Sequence, residues 1–391
     1  MAKKKVGLKV PTANELSKRY GDMIVSASDT KESGLWLPST FFMLNYTFGG
    51  GIPFGKILEV AGEESSGKSL IAYNFAYTTQ QLGGHVIWVD AEQAWMNSWA
   101  QENGVDPNGV TVIRDTRIEN IADALADVAI YWRSQLTHNE PILLVVDSVA
   151  AMDCADNIDS KMVDGKSEMG GRAKALYKFF RIRSELFYKL GITQIYINQL
   201  RTALNVGFGK DNTTTTGGAA LKFYSSIRAA FYAGRSITVK SKGKERKAGK
   251  LVTIRLIKNK VAPPRPTISK VPVYFNPKFH EVGFDRYFGL EDVFVENDII
   301  EKSSGGVYKY KDKQLCRGEE KFQKLLEEDE TLRRKLLRAA EINTIGQTKK
   351  QLSRLTENFY PIDGDVEYES FEEAKGYENC PEGGERCFRC F

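Results

Sequence analysis

The eight residues Gly62-Glu63-Glu64-Ser65-Ser66-Gly67-Lys68-Ser69 carry the most evident chemistry in this chain. An apolar run, Ile57 to Ala61, precedes them, and a helix-forming run, Leu70 to Ala76, follows. Strand, glycine-bounded loop and helix together make a cradle in which backbone N–H groups converge on phosphate oxygens. The positive end of the following helix adds to that field. In such a cradle Lys68 reaches the terminal phosphates and the Ser69 hydroxyl holds Mg²⁺. The implied ligand is a nucleoside triphosphate with Mg²⁺.

Hydrolysis also needs metal support and a group that orients and deprotonates water. Asp147 closes the apolar run Pro141 to Val146 and fits the carboxylate that supports the metal opposite Ser69. Glu92, after His85-Val86-Ile87-Trp88-Val89-Asp90, is the candidate base, with an exposed loop acid as the alternative. Trp95 and Trp99 lie just beyond, and stacking on a nucleotide base and plain packing both remain open for them. Gln199 ends another apolar run and opens a long polar, glycine-rich segment that closes at Gly217-Gly218.

Apolar runs alternate with helical patterns. Ile118, Ile121, Ala122, Leu125, Val128, Ala129 and Trp132 mark one helix face, and Ala173 to Leu190 is a second helix. This succession predicts an α/β fold with a mostly parallel sheet and helices on both faces. Gly62–Ser69, Asp90–Glu92, Asp147 and Gln199 then share the carboxyl edge of the strands, where such sheets bind ligands. Short strands at 227–232, 237–240, 251–258 and 271–275 predict an antiparallel extension. The basic tip at 240–247 is either a solvated turn or a phosphate contact. Phe284 to Asn297 and Lys321 to Glu341 read as helical, with a hairpin near Tyr308 to Asp312.

The boundaries expected are a polymerisation arm at 1–30, a core at 31–280, a small C-terminal α/β domain at 281–360 and an acidic disordered tail at 361–391. Seven Asp or Glu against one Lys between Asp363 and Glu378 carry the last of these. A formal charge of +5 is too mild to define a partner by itself. Five unevenly spread Cys exclude a disulfide framework and point to a reducing, cytoplasmic setting. Cys387 and Cys390 read as reduced thiols, with a zinc site the lesser alternative. No apolar stretch has transmembrane length, so no membrane partner is expected.

Two polar loops, Asp159 to Gly171 and Leu200 to Gly218, flank a helix with Lys174, Lys178 and Arg181 on one face. Such a face and two loops suit a phosphodiester backbone, and a solvated helix beside two disordered loops suits the same residues.

Seven segments, in order across residues 45–275, resemble the RecA family of strand-exchange recombinases, most closely its phage UvsX branch. They are Gly62–Ser69, Val89–Glu92, Val145–Ala151, Ser167–Gly170, Ile197–Arg201, Thr214–Gly218 with Ala220–Tyr224, and Lys258-Asn259-Lys260. The resemblance implies a homo-oligomeric helical filament on single-stranded DNA, with ATP and Mg²⁺ between protomers and DNA-dependent ATP hydrolysis. It also implies homologous pairing with duplex DNA, and mediator and single-strand-binding proteins as partners.

By match, Glu92 is the hydrolytic base and Gln199 senses the γ-phosphate. Lys258 and Lys260 act on the neighbouring protomer's ATP, and Trp99 stands where an aromatic packs on the base. DNA contacts are expected from Met169, Gly170, Gly171, Arg172, Lys174, Arg181, Arg201, Phe208, Gly217 and Gly218. The rival readings are a ring-forming helicase motor and a non-catalytic recombinase paralogue. The phage setting implies the cytoplasm of a host cell.

Overall fold

The computed structural model describes residues 35–159, 170–202 and 213–345, except 242, 264 and 266; before residue 35 it describes only Lys18. The expected arm and tail, Met169 and Phe208 therefore lie outside the described residues. The described residues build a ten-stranded sheet. From one edge its order is Gly283–Phe284, Ile268–Tyr274, Lys244–Asn259, Ile227–Ser241, Ile57–Gly62, Ile192–Thr202, Ile142–Asp147, His85–Asp90 and Val110–Ile113. Thr213–Thr215 pairs with the end of the Ile192–Thr202 strand. The strands from Ile227–Ser241 to Val110–Ile113 are mutually parallel, and those beyond Ile227–Ser241 are antiparallel.

Both faces are buried along the central parallel strands Ile57–Gly62, Ile142–Asp147 and His85–Asp90, which explains their mostly apolar runs. One face carries Leu58, Val60, Val86, Trp88, Leu143, Val145, Ile195 and Ile197, packed with Ile71 and Phe75 of the helix Lys68–Gln81. The other carries Ile57, Ile87, Val89, Leu144, Val146 and Tyr196. They pack with Ile121 and Leu125 of Ile118–Gln135 and with Leu176, Phe179 and Phe180 of Gly171–Lys189. The period of two along each strand assigns neighbours to opposite faces.

Three local expectations are corrected. The strands expected at 227–232 and 237–240 are one strand, Ile227–Ser241, and its partner is continuous over Lys244–Asn259. Ser236 pairs with Lys250 and Ala233 with Val252, so a bulge at Gly234-Arg235 absorbs the turn signal without ending the strand. Phe284 to Asn297 is helical only over Leu290–Glu296. Lys321 to Glu341 falls in two helices, Glu319–Glu328 and Glu330–Ile345. Asp329 divides them: its Oδ1 accepts the N–H of Leu332 at 2.9 Å, as an N-cap does.

The expected hairpin forms as Val307–Tyr310 with Lys313–Arg317. It joins the last helices in a third apolar cluster, where Tyr308 stacks on Phe322 at 4.5 Å. Phe42, from the helix Phe42–Phe48, belongs to that cluster too. No helix among the described residues is long and apolar enough to cross a membrane.

Candidate nucleotide and DNA site

Parallel register brings the sequence-distant groups to one edge. Gly62 pairs with Gln199, and Asp90 pairs with Asp147. The phosphate loop leaves its strand at Gly62, where an added Cβ would lie 2.6 Å from the Phe231 carbonyl oxygen. It enters the helix through Gly67 at φ +86°, a conformation that strains any L side chain. Ser66 is fully buried, and its Oγ donates to the Glu63 carbonyl at 2.8 Å. Glu63, Glu64 and Ser65 are exposed.

Lys68 Nζ donates to the Glu63 carbonyl at 2.5 Å, which folds the ammonium across the loop. Burial holds the Lys68 ammonium below its ordinary value, against the opposing pull of Asp147, Glu92, Glu64 and Glu63. Ser69 Oγ donates to Asp147 Oδ2 at 2.8 Å. A hydroxyl and a carboxylate so joined, beside a glycine-bounded loop, are hard oxygen donors of the kind Mg²⁺ takes. Among the described residues no separate cluster of His, Cys, Asp and Glu competes as a metal site.

Burial pushes the Asp147 carboxyl up to about 6, with Glu92 and Asp90 adding and the Ser69 hydroxyl and Lys68 opposing. In metal-free protein the native state therefore keeps this proton to a higher pH than the unfolded chain does. The associated stability is complete below the ordinary carboxylate value near 4 and is lost as pH rises through about 6. Asp147→Asn removes that loss. Denaturation in EDTA should find the variant more stable than wild type at pH 7, by on the order of 2 kcal/mol, with the difference vanishing towards pH 4.

Glu92 is exposed at the tip of its loop, where Ser148 Oγ donates to Glu92 Oε1. The N–H groups of Ala91 and Glu92 reach the Asp147 carbonyl at 3.0 and 3.4 Å. Asp90, 2% exposed, turns inward. Its carboxylate accepts the N–H groups of Ala94 at 2.8 Å and Trp95 at 3.2 Å, and pairs with Arg114 at 3.6 Å. The loop that carries Glu92 is thus pinned at both ends. Asp90 and Ser148 are supports that the sequence reading missed; a second carboxylate two residues before Glu92 was the available signal.

Trp95 is half-buried and packs against Tyr73 and Trp88 of the core, with ring centroids at 5.7 and 5.0 Å. Trp99 is half-buried against the same cluster. Gln199 is exposed beside the phosphate loop.

Of the DNA-contact candidates, the structure brings Gly170, Gly171, Arg172, Lys174, Gly217 and Gly218 together. A Cβ on Gly217 would lie 2.6 Å from Leu176 Cδ1, and one on Gly218 would lie 3.0 Å from Ala173 Cβ. Gly170 (φ +101°) caps the helix, and Gly171 is buried against Cys154. Lys174 and Arg181 are exposed on one helix face. Arg172 is engaged inward, with Asp153 at 3.1 Å and the Ala150 carbonyl at 3.2 Å. The Arg201 backbone pairs with Thr214.

Lys258 and Lys260 lie elsewhere. Lys258 pairs across the sheet with Arg228, which pairs with Glu59, three residues and about 10 Å behind Gly62 along the strand. Lys258 Nζ donates to the carbonyls of Lys222 and Phe223 at 2.6 and 3.3 Å, and Lys260 is exposed.

The fold and this edge define an open α/β protein with a phosphate-binding loop of the P-loop type. A model of the RecA N-terminal domain matches residues 11–277. The chain is 34% identical to Protein RecA of Saccharopolyspora erythraea, over 81% of this chain and 86% of that protein. It is 34% identical to Protein RecA of Frankia casuarinae, over 81% and 87% respectively. To Protein RecA of Chlorobaculum tepidum it is 36% identical, over 74% and 78%. The chain belongs to the RecA family of recombinases.

Proposed function

We propose that this chain is an ATP-dependent recombinase of the phage UvsX kind. It coats single-stranded DNA as a helical filament, pairs it with homologous duplex and exchanges strands. The observation that carries this reading is the separation of its cations. The phosphate loop, Asp147, Glu92 and Gln199 converge at one edge, while Lys258 stands near the end of a strand behind it and Lys260 just past that end. Two lysines so placed cannot serve their own nucleotide, but a head-to-tail stack of protomers brings them to the next one. Hydrolysis is then tied to assembly, because cations supplied in trans stabilise charge in the transition state only when protomers are stacked.

In this mechanism Ser69 and Asp147 hold Mg²⁺, which neutralises phosphate charge when bound. Lys68 swings from the Glu63 carbonyl to the terminal phosphates. Glu92, oriented by Ser148, takes the proton of the attacking water. Gln199 reads the γ-phosphate and passes its state to the 203–212 segment. Lys174, Arg181, Arg201, Gly217 and Gly218, with Met169 and Phe208, grip the DNA. Trp99 lies against the adenine. The division into 1–30, 31–280, 281–360 and 361–391 belongs to the same proposal, as do mediator and single-strand-binding partners and a host cytoplasm.

The test is ATP hydrolysis with and without single-stranded DNA across protein concentrations. Stimulation that rises cooperatively with concentration is expected; a rate indifferent to both would refute the recombinase reading. Lys68→Ala should lower the stimulated rate by at least about 10²-fold, as steady-state phosphate release would show.

A further inference from the structure

The strand Ile57–Gly62 contains one residue that does not belong in a sheet buried on both faces. Glu59 is 0% exposed, between Leu58 and Val60, which are also 0% exposed. A carboxylate persists in such a place only when it is paired and hydrogen-bonded. Both Glu59 oxygens are engaged: Oε2 accepts from Arg228 Nε, and Oε1 accepts from Asn198 Nδ2 at 3.1 Å.

Each partner leads on. Asn198, also 0% exposed, donates from the same Nδ2 to the Thr216 carbonyl at 2.9 Å, and its Oδ1 accepts the Gln199 N–H at 2.9 Å. Gln199 precedes the 203–212 segment and Thr216 follows it. On the other side, Arg228 lies directly across the sheet from Lys258. The Lys258 ammonium is held below its ordinary value by burial, with Lys260 and Arg228 adding and Glu59 opposing.

We infer that Glu59 is a positioning residue that couples consecutive nucleotide sites along the assembly. Through Arg228 it holds the lysine edge that meets the neighbour's nucleotide. Through Asn198 it holds Gln199 and the Thr216 turn, which meet the protomer's own nucleotide and close the DNA segment. When phosphate draws Lys258 away from the Lys222 and Phe223 carbonyls, the charge beside Arg228 changes, and Glu59 transmits the change across two strands to both ends of that segment. The inference rests on the recombinase reading above.

Glu59→Gln tests it in the full chain. The substitution keeps the shape and an acceptor for Asn198, and removes the charge that holds Arg228. Hydrolysis is measured against ATP concentration at saturating single-stranded DNA. Nucleotide affinity is measured separately, below the concentration at which protomers assemble. The expected result is a Hill coefficient reduced from the wild-type value to about 1, with protomer affinity within about twofold of wild type.

A second variant, Glu59→Gln with Arg228→Met, removes the buried ion pair altogether and so avoids leaving a lone buried charge. It should remain non-cooperative even where its melting temperature matches wild type, because a purely structural pair would then be dispensable. Wild-type cooperativity in either folded variant overturns the inference while leaving the recombinase reading intact. Unfolding of both variants at the assay temperature would make the network structural and overturn it as well. Wild type that ignores DNA would instead remove the recombinase reading, and the inference with it.

Discussion

Replacing Lys258 and Lys260 together by alanine should lower DNA-stimulated ATP hydrolysis about 10³-fold, the range in which cations supplied in trans act. Nucleotide binding by isolated protomers should be unchanged. The reason is geometric: strand register places Lys258 behind the phosphate loop of its own chain, where its ammonium meets the carbonyls of Lys222 and Phe223 rather than the cradle, and Lys260 follows two residues on, its N–H on the Ser226 carbonyl. Fluorescent-nucleotide binding at low protein concentration and steady-state hydrolysis at saturating DNA measure the two halves of this claim. A double variant with an undiminished stimulated rate would show that these lysines do not complete the site.

Glu92→Gln should bind nucleotide and DNA as wild type does, yet lose hydrolysis by on the order of 10²- to 10⁴-fold, the usual worth of a positioned general base. The amide keeps the acceptor that receives the Ser148 hydroxyl, so the loop should hold its place. Single-turnover hydrolysis on preformed complexes isolates this step. The two variants also test each other. Mixed in equal amounts, they should regain activity at about a quarter of head-to-tail interfaces, those that pair an intact Glu92 with intact lysines from the other protomer. No recovery would mean that base and lysines act within one chain.

Much of the site could be read along the chain because its parts are local. The phosphate loop is contiguous, and Asp90-Ala91-Glu92 and Asp147 close apolar runs whose direction in a parallel sheet is set by alternation with helices. The family segments occur in order for the same reason. Local signals were less dependable where tertiary pairing overrode them. Residues 233–236 fell between two expected strands, yet one strand runs through them as a bulge, and Gly234 leaves room for the Leu251 carbonyl, 2.8 Å from where a Cβ would sit. Asp329 lies inside the run Lys321 to Glu341 that reads as helical, and it stands between two helices and caps the second.

The sequence by itself determined the class of sheet, the phosphate cradle with Lys68 and Ser69, and the carboxylates available to it, since each depends on residue type and short spacing. Only the tertiary structure decided which of these groups meet. Register put Gly62 beside Gln199 and Asp90 beside Asp147 and set Lys258 and Lys260 on the far side of their own cradle, while packing laid Trp95 against the core. It also turned Glu59, an isolated acid in an apolar run, into the junction of three strands. A side chain's partners across a sheet depend on the register of strands more than a hundred residues apart, and neither composition nor periodicity along one strand carries that information.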